Sequence, residues 1–374
     1  MNHLISKIHL WIGLITAPIV FFICLTGTVI VFSDEIIELS AGDARYAARV
    51  EENRLPAEQL ITIIKDKFPN RRTPAYLVSY KDPKRSVRFN TYDPEKGLRM
   101  VYIDPYTGSI LKDDSTIYFF YITAHLHNSF MLHKTGEWIV DSCVVIFVIS
   151  MLTGLILWWP KTWNKKTRKA SFSIKWNAPF RRVNYDVHKV LGFYGLGVSL
   201  LLAFTGLIIA FQPLANLTKD AFGGDSSRNV QKELAKSTQF DSTQVSVPIN
   251  TVIQKTFAGF PDKKEIQVYT YKLDASGCYI LNAAKKIGLK SAQSNKFLVF
   301  NRYTGNQIIP SREALQNENI NNMYWVLHMG NWMGLLGKIV TFLGGLILTI
   351  LPVTGFYIWW QKYRQQKANR MLFK

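Results

Sequence analysis

Histidine recurs in this sequence at spacings that repeat. His9 and His188 are each followed by a glycine four residues later and by a Thr-Gly pair 17 and 18 residues later. His127 and His328 each follow a leucine and precede a glycine by nine residues, and a Thr-Gly pair comes 26 and 27 residues after each. The repetition predicts two copies of one unit. The accompanying residues are Gly13, Gly192, Thr26-Gly27, Thr205-Gly206, Gly136, Gly337, Thr153-Gly154 and Thr354-Gly355.

Two equivalent pairs of imidazoles suit metal ligation. If His9 meets His188 and His127 meets His328, each pair supplies two neutral nitrogen ligands to one haem iron. We therefore expect two haems b, whose axial ligands come from different helices. His125 is an alternative ligand for the second iron, because it is only two residues from His127.

Several residues near the repeated histidines are candidates for contact with haem. Spacings of four and 18 residues return to the same face of a helix, so glycine there would leave room for a flat macrocycle. Small residues at these positions also serve helix packing, which is the alternative interpretation. Arg181 and Arg182 are candidate partners of haem propionates, or else residues that fix membrane topology. The four glycines are Gly13, Gly192, Gly27 and Gly206.

Other chemistry is not indicated by the sequence. Three cysteines without a CxxCH motif give no support for covalently attached haem or a disulfide framework. The sequence also contains no P-loop, no zinc-type spacing and no GxGxxG motif after a strand. An electron donor would therefore have to be a separate cytoplasmic protein or a membrane quinol.

The histidines must be positioned by membrane helices, because four apolar runs have the length of a bilayer, about 20 residues. Asp141 is the only charged residue within them. Tryptophan pairs close two of the runs, as expected at a membrane interface. The four runs are Leu10–Phe32, Trp138–Trp159, Val190–Phe211 and Ile339–Trp360.

The charge distribution predicts the orientation of these spans. The net charge is +19, and basic residues without any acidic residue fill the connector 161–183 and the tail 361–374. The segment 33–120, in contrast, carries 14 basic and 14 acidic residues. By the positive-inside rule, both termini and the connector are cytoplasmic and both long loops are outside. Contact with anionic lipid explains the basic runs more simply than nucleic-acid binding does.

Each long loop has the pattern of a small α+β module. In the first loop, Pro56–Phe68 has helical apolar spacing, and strand-like alternation follows at Ala75–Tyr80 and Val87–Tyr92. In the second, Ile249–Phe257 is helical in pattern and Glu265–Lys272 is strand-like. The polar, Ser-rich segment Gly223–Ser246 is expected to be a mobile loop.

Two corresponding turns complete the pattern of the loops. A strand ends in Asp104-Pro105-Tyr106-Thr107-Gly108 in the first loop and in Asn301-Arg302-Tyr303-Thr304-Gly305 in the second. With the flanking His and Thr-Gly spans, these motifs resemble the PepSY-associated transmembrane family over nearly the whole chain. Asn301-Arg302 departs from the Asp-Pro of the motif, which puts a shared role for Asp104 in doubt.

The resemblance implies a location and a function. The family includes ferric-siderophore reductases and iron-regulated proteins of the bacterial inner membrane, so the outer loops would be periplasmic PepSY-like domains. We expect a di-haem b reductase that passes electrons across the membrane to a periplasmic acceptor, such as a ferric siderophore. The alternative is a membrane-anchored PepSY protein that modulates peptidases and has no redox activity.

The predicted architecture is therefore a four-helix membrane protein with two extracytoplasmic α+β domains, built by internal duplication. The predicted boundaries are 1–32 for the first span, 33–120 for the first PepSY-like domain, 121–160 for an outer helix and the second span, 161–187 for the connector, 188–211 for the third span, 212–322 for the second PepSY-like domain, 323–360 for an outer helix and the fourth span, and 361–374 for the tail.

Overall fold

The computed structural model describes residues 2–237, 239–271, 273 and 276–372. The predictions above also extend to seven residues that lie outside the described residues: Met1, Thr238, Lys272, Asp274, Ala275, Phe373 and Lys374. The chain forms two compact units. The helical unit comprises Met1–Val31, Ile122–Phe211 and Leu327–Lys374, and the sheet unit comprises Phe32–Tyr121 and Gln212–Val326.

The regular elements follow one another along the chain with short connections. In the described part of the chain the α-helices are α1 (Asn2–Ile30), α2 (Ser33–Ala41), α3 (Ala57–Lys67), α4 (Thr116–Ser129), α5 (His133–Trp158), α6 (Lys165–Phe172), α7 (Phe180–Ala210), α8 (Gln212–Ala221), α9 (Val230–Ser237), α10 (Ile249–Gly259), α11 (Arg312–His328) and α12 (Leu335–Leu372). The strands are β1 (Tyr76–Tyr80), β2 (Val87–Asp93), β3 (Gly97–Ile103), β4 (Ile110–Asp114), β5 (Glu265–Tyr269), β6 (Cys278–Ala284), β7 (Lys286–Ile287), β8 (Ala292–Gln293), β9 (Lys296–Asn301) and β10 (Gln307–Ile308).

Four of the described helices, α1, α5, α7 and α12, are long and apolar enough to cross a membrane. They confirm the four predicted spans. Their ends differ from the predicted apolar runs, because backbone hydrogen bonding continues into polar sequence where hydropathy no longer marks a helix. Thus α7 begins at Phe180 rather than near Val190, and α12 continues past Trp360.

The spanning helices form a four-membered bundle. Helices α1 and α7 each pack against both α5 and α12, so α1 and α7 occupy opposite corners. Two adjacent glycines of α12 bring three of the helices together. Gly345 lies against Thr28 of α1, and Gly344 lies against Val198 of α7. Small residues at such contacts allow close backbone approach in a membrane, where hydrophobic burial gives helices little reason to associate.

The sheet unit is built on one antiparallel sheet with the strand order β10-β9-β6-β5-β1-β2-β3-β4. The first loop supplies β1 to β4, and the second supplies the other four strands. The two sets meet at the centre, where β1 pairs with β5 and Leu77 lies opposite Val268. The structure thus corrects the prediction of two separate modules. Pairing β1 with β5 covers two strand edges that separate modules would leave unpaired.

One helix from each loop segment packs on the same face of this sheet. Leu60 and Ile64 of α3 share a buried core with Val252 and Ile253 of α10, together with the inward side chains of the strands. This apolar spacing in α3 and α10 is what predicted the two helices, and the structure places their apolar faces in one core.

The two helices also satisfy each other's N-terminal N–H groups. Each begins after a proline, and neither proline provides a side-chain cap. Instead, the N–H of Ala57 donates to Asn250 Oδ1 at 3.0 Å, and the N–H of Ile249 donates to Glu58 Oε1 at 2.7 Å. The exchanged caps satisfy groups that would otherwise be left without a partner within the helix.

The two corresponding turns are stabilised in the same way, despite their different residues. Asp104 Oδ1 accepts the N–H groups of Tyr106 and Thr107, and Asn301 Oδ1 accepts the same two positions of its own turn. Both turns end in glycine with positive φ, where other residues are strained. Asp104 and Asn301 therefore share a structural role that a side-chain oxygen of either type can fill.

The predicted mobile loop Gly223–Ser246 is wrong over Val230–Ser237, which forms helix α9. Val230 and Leu234 lie one turn apart and are buried against Cys278 and Val299 of the sheet. Two apolar residues at helical spacing were too short a signal within a polar, Ser-rich segment to predict a helix.

A charged cluster at the sheet edge provides a test of this fold. Asp113 of β4 accepts hydrogen bonds from Arg71 and Arg99. Burial alone would raise the pKa of Asp113, but the hydrogen bonds and charges of the two arginines outweigh it and hold the pKa below its ordinary value. The resulting stabilisation is complete above the pKa of an unfolded aspartate, about 3.9. It is lost as pH falls through the lower folded-state pKa.

We therefore expect Asp113→Asn to lower the free energy of unfolding of the sheet unit by about 2 kcal/mol at pH 7. The difference from wild type should narrow below about pH 4. Denaturant unfolding of the detergent-solubilised chain at several pH values measures both effects. Asp66→Asn, at an exposed position of α3, is the matched control. A difference for Asp113→Asn that persists unchanged at pH 2 would contradict the assignment.

Candidate functional site

The first histidine pair lies in the interior of the helical bundle. His9 is near the start of α1, and His188 is on α7, at the opposite corner. Their ring centroids are 6.5 Å apart. Since the two helices do not neighbour each other, the imidazoles must reach towards each other across the bundle.

The second pair lies at the other end of the bundle. His127 of α4 and His328, the last residue of α11, have ring centroids 6.2 Å apart. On α1, Gly27 lies beside the His127 ring and 18 residues beyond His9. At about 1.5 Å per residue, the two sites are about 27 Å apart along this helix.

The spacing within each pair suits a shared metal ion. Two imidazoles on opposite sides of one metal, each bonded at about 2.0 Å, place their ring centroids roughly 6 Å apart. The observed separations of 6.5 Å and 6.2 Å match this geometry. Burial lowers the pKa of His127 and lowers that of His328 to about 4. Both rings are therefore neutral at pH 7, as ligation requires.

Threonine hydroxyls fix the other nitrogen of each ring. Oγ1 of Thr354 lies 2.9 Å from Nδ1 of His188, and Oγ1 of Thr205 lies 2.9 Å from Nδ1 of His328. Both hydroxyls donate their proton to backbone carbonyls of their own helix. Each oxygen is thus left to accept from Nδ1–H, which leaves Nε2 as the unprotonated nitrogen available for a metal.

The other two histidines are held in the same way. Nδ1 of His9 lies 3.1 Å from both the carbonyl of Ser150 and Oγ1 of Thr153. Nδ1 of His127 lies 2.8 Å from the carbonyl of Ile23 and 3.4 Å from Oγ1 of Thr26. A carbonyl can only accept, so these two rings also carry their proton on Nδ1.

The glycine after each threonine makes room for the imidazole. A Cβ on Gly27 would lie 2.8 Å from Cε1 of His127, and one on Gly206 would lie 3.3 Å from Cε1 of His328. Gly154 and Gly355 would bring a Cβ to 3.1 Å from Cε1 of His9 and His188 respectively. We call each threonine and glycine pair a Thr-Gly cradle; the four are Thr26-Gly27, Thr153-Gly154, Thr205-Gly206 and Thr354-Gly355.

A comparison with known protein families matches nearly the whole chain. Residues 6–362 match the PepSY-associated TM region. The chain belongs to this family. A search of curated proteins gave no match.

In this PepSY-associated chain, two glycines predicted as haem contacts have a neighbour that the sequence did not predict. Gly27 and Gly206 were predicted to face a macrocycle, and the structure places them against the imidazoles of His127 and His328. The roles of Gly154 and Gly355 were missed. Their signal was the Thr-Gly pair itself, which occurs once for each repeated histidine.

The other two predicted glycines make only ordinary contacts with a neighbouring helix. A Cβ on Gly13 would have Ser150 Oγ as its nearest neighbour, at 4.0 Å, and one on Gly192 would have Leu351 Cδ2 at 3.7 Å. These are ordinary contact distances, so neither glycine is required by the packing of the helices. The predicted contact of Gly13 and Gly192 with haem stays a prediction.

The structure also separates the alternative candidates. His125 lies two residues from His127 on α4, which turns it to a different face of the helix, and the ring paired with His328 is that of His127. Arg182 forms an ion pair with the buried carboxylate of Asp186, at 2.9 Å. Arg181 is exposed. The propionate role of the two arginines stays a prediction.

The helix that carries His127 ends before the spanning helix begins. The break lies at Phe130 and Met131, which both have positive φ. A Cβ on Gly136 would collide with the carbonyl oxygen of Ser129, the last residue of α4. Gly136 therefore allows the end of α4 to fold back against α5.

The cradles make a prediction about helix packing that does not depend on a cofactor. Gly27→Ala should crowd the ring of His127 and destabilise the protein by about 1–3 kcal/mol. Gly197→Ala, on α7 with no atom within 4 Å of its Cβ, is the matched control and should be neutral or slightly stabilising. Thermal unfolding of the two purified variants in detergent compares them. Equal midpoints would argue against a close contact at Gly27.

Proposed function

We propose that this PepSY-TM protein is a di-haem b membrane reductase that passes electrons across the inner membrane to a periplasmic acceptor. The observation that carries the proposal is the presence of two imidazole pairs, one at each end of the bundle, each with the separation of two ligands on one metal. The rings of His127 and His328 are neutral at pH 7, and all four rings are hydrogen bonded at Nδ1, as a haem ligand requires.

The number of protein ligands favours haem over a simple metal ion. Among the described residues, no group of three or more His, Cys, Asp or Glu side chains is placed to hold a metal. A site with only two protein ligands suits an iron whose remaining ligands come from a macrocycle. His9 and His188 would hold one haem, and His127 and His328 the other. Haem supplies one-electron redox chemistry at potentials set by its axial ligands and surroundings.

The residues of the chain contribute orientation and electronic tuning. Each cradle threonine accepts Nδ1–H and so fixes the tautomer and plane of its imidazole. Such a hydrogen bond raises the basicity of Nε2, which favours the oxidised metal. Within each site the two rings are held unequally, because the cradle hydroxyl is 3.1 Å from Nδ1 of His9 and 3.4 Å from Nδ1 of His127, but 2.9 Å from Nδ1 of His188 and of His328. The two ligands of each haem would therefore differ in their hydrogen bonding.

The direction of transfer follows from the proposed topology. The basic connector and tail place the ends of the chain in the cytoplasm, so the pair at His9 would be the inner site and the pair at His127 the outer site. The donor would be a cytoplasmic protein or a membrane quinol. The acceptor we propose is a ferric siderophore, as the resemblance to ferric-siderophore reductases implies. Reduction would assist iron release, because hard oxygen ligands hold ferrous iron less well.

We also propose that the chain arose by internal duplication. The two halves use the same histidine and Thr-Gly offsets, and each half supplies one member of each pair. The sheet unit has matching parts, since α3 and α10 exchange caps and Asp104 and Asn301 form corresponding turns.

Haem content tests the proposal directly. We expect the purified protein to show a Soret band and to contain about two haems per chain, as two ligand pairs require. His188→Ala and His328→Ala should each reduce the content to about one, because a single remaining imidazole holds the iron weakly. The measurements are the oxidised and dithionite-reduced spectra and the pyridine haemochrome assay. His125→Ala and His133→Ala are controls that should retain both. A wild-type protein purified without haem would end the proposal.

The cradle threonines provide a finer test. Thr205→Val removes the hydroxyl acceptor for Nδ1 of His328 while keeping the side-chain size. We expect about 10–100-fold weaker haem retention at the outer site. Any haem that remains there should have a more positive midpoint potential, because His328 becomes a weaker donor. Spectroscopic redox titration measures the potential, and Thr349→Val, whose hydroxyl bonds only within α12, is the control. An unchanged outer potential in Thr205→Val would contradict this role.

A further inference from the structure

A polar cleft lies within the sheet unit, between the sheet and helix α11. It has a volume of about 230 Å³ and is bounded by β5, β6 and β9, by the turn that joins β7 and β8, and by the side chains of α11. Helices α3 and α10 pack on the sheet through other residues and do not line it. The cleft therefore belongs to neither the apolar core nor the histidine sites.

Carboxamide side chains dominate the lining of the cleft. Five of them face it, together with one carboxylate, Glu318, and one ammonium, Lys290. A carboxamide offers both donors and an acceptor, so such a lining recognises uncharged polar groups better than ions. The five residues are Gln267, Asn282, Asn295, Asn321 and Asn322.

One of these carboxamides has a buried atom with no partner. Nδ2 of Asn295 donates to Oδ1 of Asn282 at 3.3 Å, but Oδ1 of Asn295 is buried and accepts no hydrogen bond. A buried acceptor without a partner costs about 1–3 kcal/mol. An N–H or O–H group of a ligand in the cleft would satisfy it.

A neighbouring carboxamide shows which group fits this lining. Asn322 pairs with the backbone of Ala292 through two hydrogen bonds of 3.0 Å, one accepted from its N–H and one donated to its carbonyl. The side chain thus binds the N–H of one peptide group and the carbonyl oxygen of the next. The cleft is built from the same kind of donor and acceptor.

The remaining walls combine aromatic side chains with two ionisable ones, Glu318 and Lys290. Trp325 of α11, Tyr269 and Phe297 line the cleft and offer apolar surface to the body of a ligand. Burial raises the pKa of Glu318, although the charge of Lys219 opposes this, so its carboxyl group is more readily neutral. The exposed ammonium of Lys290 lies 5.6 Å from the centroid of the Trp325 indole and disfavours a cationic ligand.

From these observations we infer that the cleft is a binding site for an uncharged ligand that carries secondary amide groups. Its amide N–H would bond to Oδ1 of Asn295, and its apolar part would lie against Trp325. Ligand sites usually measure about 300–1,000 Å³. A cleft of about 230 Å³ therefore holds one amide-bearing segment of a ligand rather than the whole of a large one.

Redox-inert probes separate binding from electron transfer. We would titrate the detergent-purified full chain with two uncharged probes, a gallium(III) tris-hydroxamate chelate with amide-containing linkers and the peptide acetyl-Ala-Ala-Ala-amide, and with anionic gallium(III) citrate. Binding is measured by isothermal calorimetry and tryptophan fluorescence. We expect saturable binding of at least one uncharged probe and markedly weaker binding of citrate. The chelate would identify a metal-carrying acceptor, and the peptide would identify a peptide ligand.

Paired variants locate the site. Asn295→Leu and Trp325→Leu should each weaken binding of that probe by about tenfold or more, the value of one good hydrogen bond or aromatic contact. Asn306→Leu and Trp176→Leu change exposed residues outside the cleft and should bind as wild type does. Absence of binding by both uncharged probes, equal binding of citrate, or unaltered binding in both cleft variants would overturn the inference. Absence of a Soret band from the wild-type protein would instead refute the proposed function, and the binding results would still stand.

Discussion

The hydrogen bond between a histidine Nδ1 and the Thr-Gly cradle of a neighbouring helix is the interaction on which the helical unit depends. It needs a threonine whose proton is already donated within its own helix and a glycine without a Cβ. His9 of α1 lies in a cradle of α5, and His127, which precedes α5, lies in a cradle of α1. The exchange fixes α1 and α5 in one register, because a shift of one residue would break both contacts.

The same exchange links α7 with the segment around α12. His188 of α7 lies in a cradle of α12, and His328, just before α12, lies in a cradle of α7. Polar groups at membrane depth are costly unless they have partners, and here each Nδ1 has one. The arrangement leaves Nε2 of each ring available, and the ring centroids of each pair have the separation that two ligands of one metal require. Structural and chemical demands on the histidines are thus met by different atoms of the same ring.

Much of this architecture could be predicted from the sequence, because its signals are periodic. Apolar length predicted the spans, and the repeated offsets predicted which histidines pair. The partner of each Thr-Gly pair could not be predicted, since it depends on which helices become neighbours. Helix periodicity placed Gly27 on the face of His9, but it could not show that the ring of His127 fills that space.

The joined sheet escaped prediction for a related reason. Each loop has enough strands for a module of its own, and nothing in local alternation shows that β1 will pair with β5 across nearly 200 residues of chain. The exchanged caps of α3 and α10 are equally non-local, because Asn250 and Glu58 read as ordinary surface residues in their own segments. Local patterns specify elements, whereas these contacts specify how two segments combine.

Both units therefore depend on both halves of the chain. Each imidazole pair takes one ring from each half, and the central strand pair and the helix caps of the sheet unit do the same. One half alone would leave single imidazoles in the bundle, an unpaired central strand edge and uncapped helices. The single imidazoles would be costly in the membrane interior, and the unpaired strand edge and uncapped helices would be costly in water. Association of the two halves removes all of these defects. Because the halves are joined in one chain, their association is intramolecular and loses less translational and rotational entropy than the association of two separate chains would.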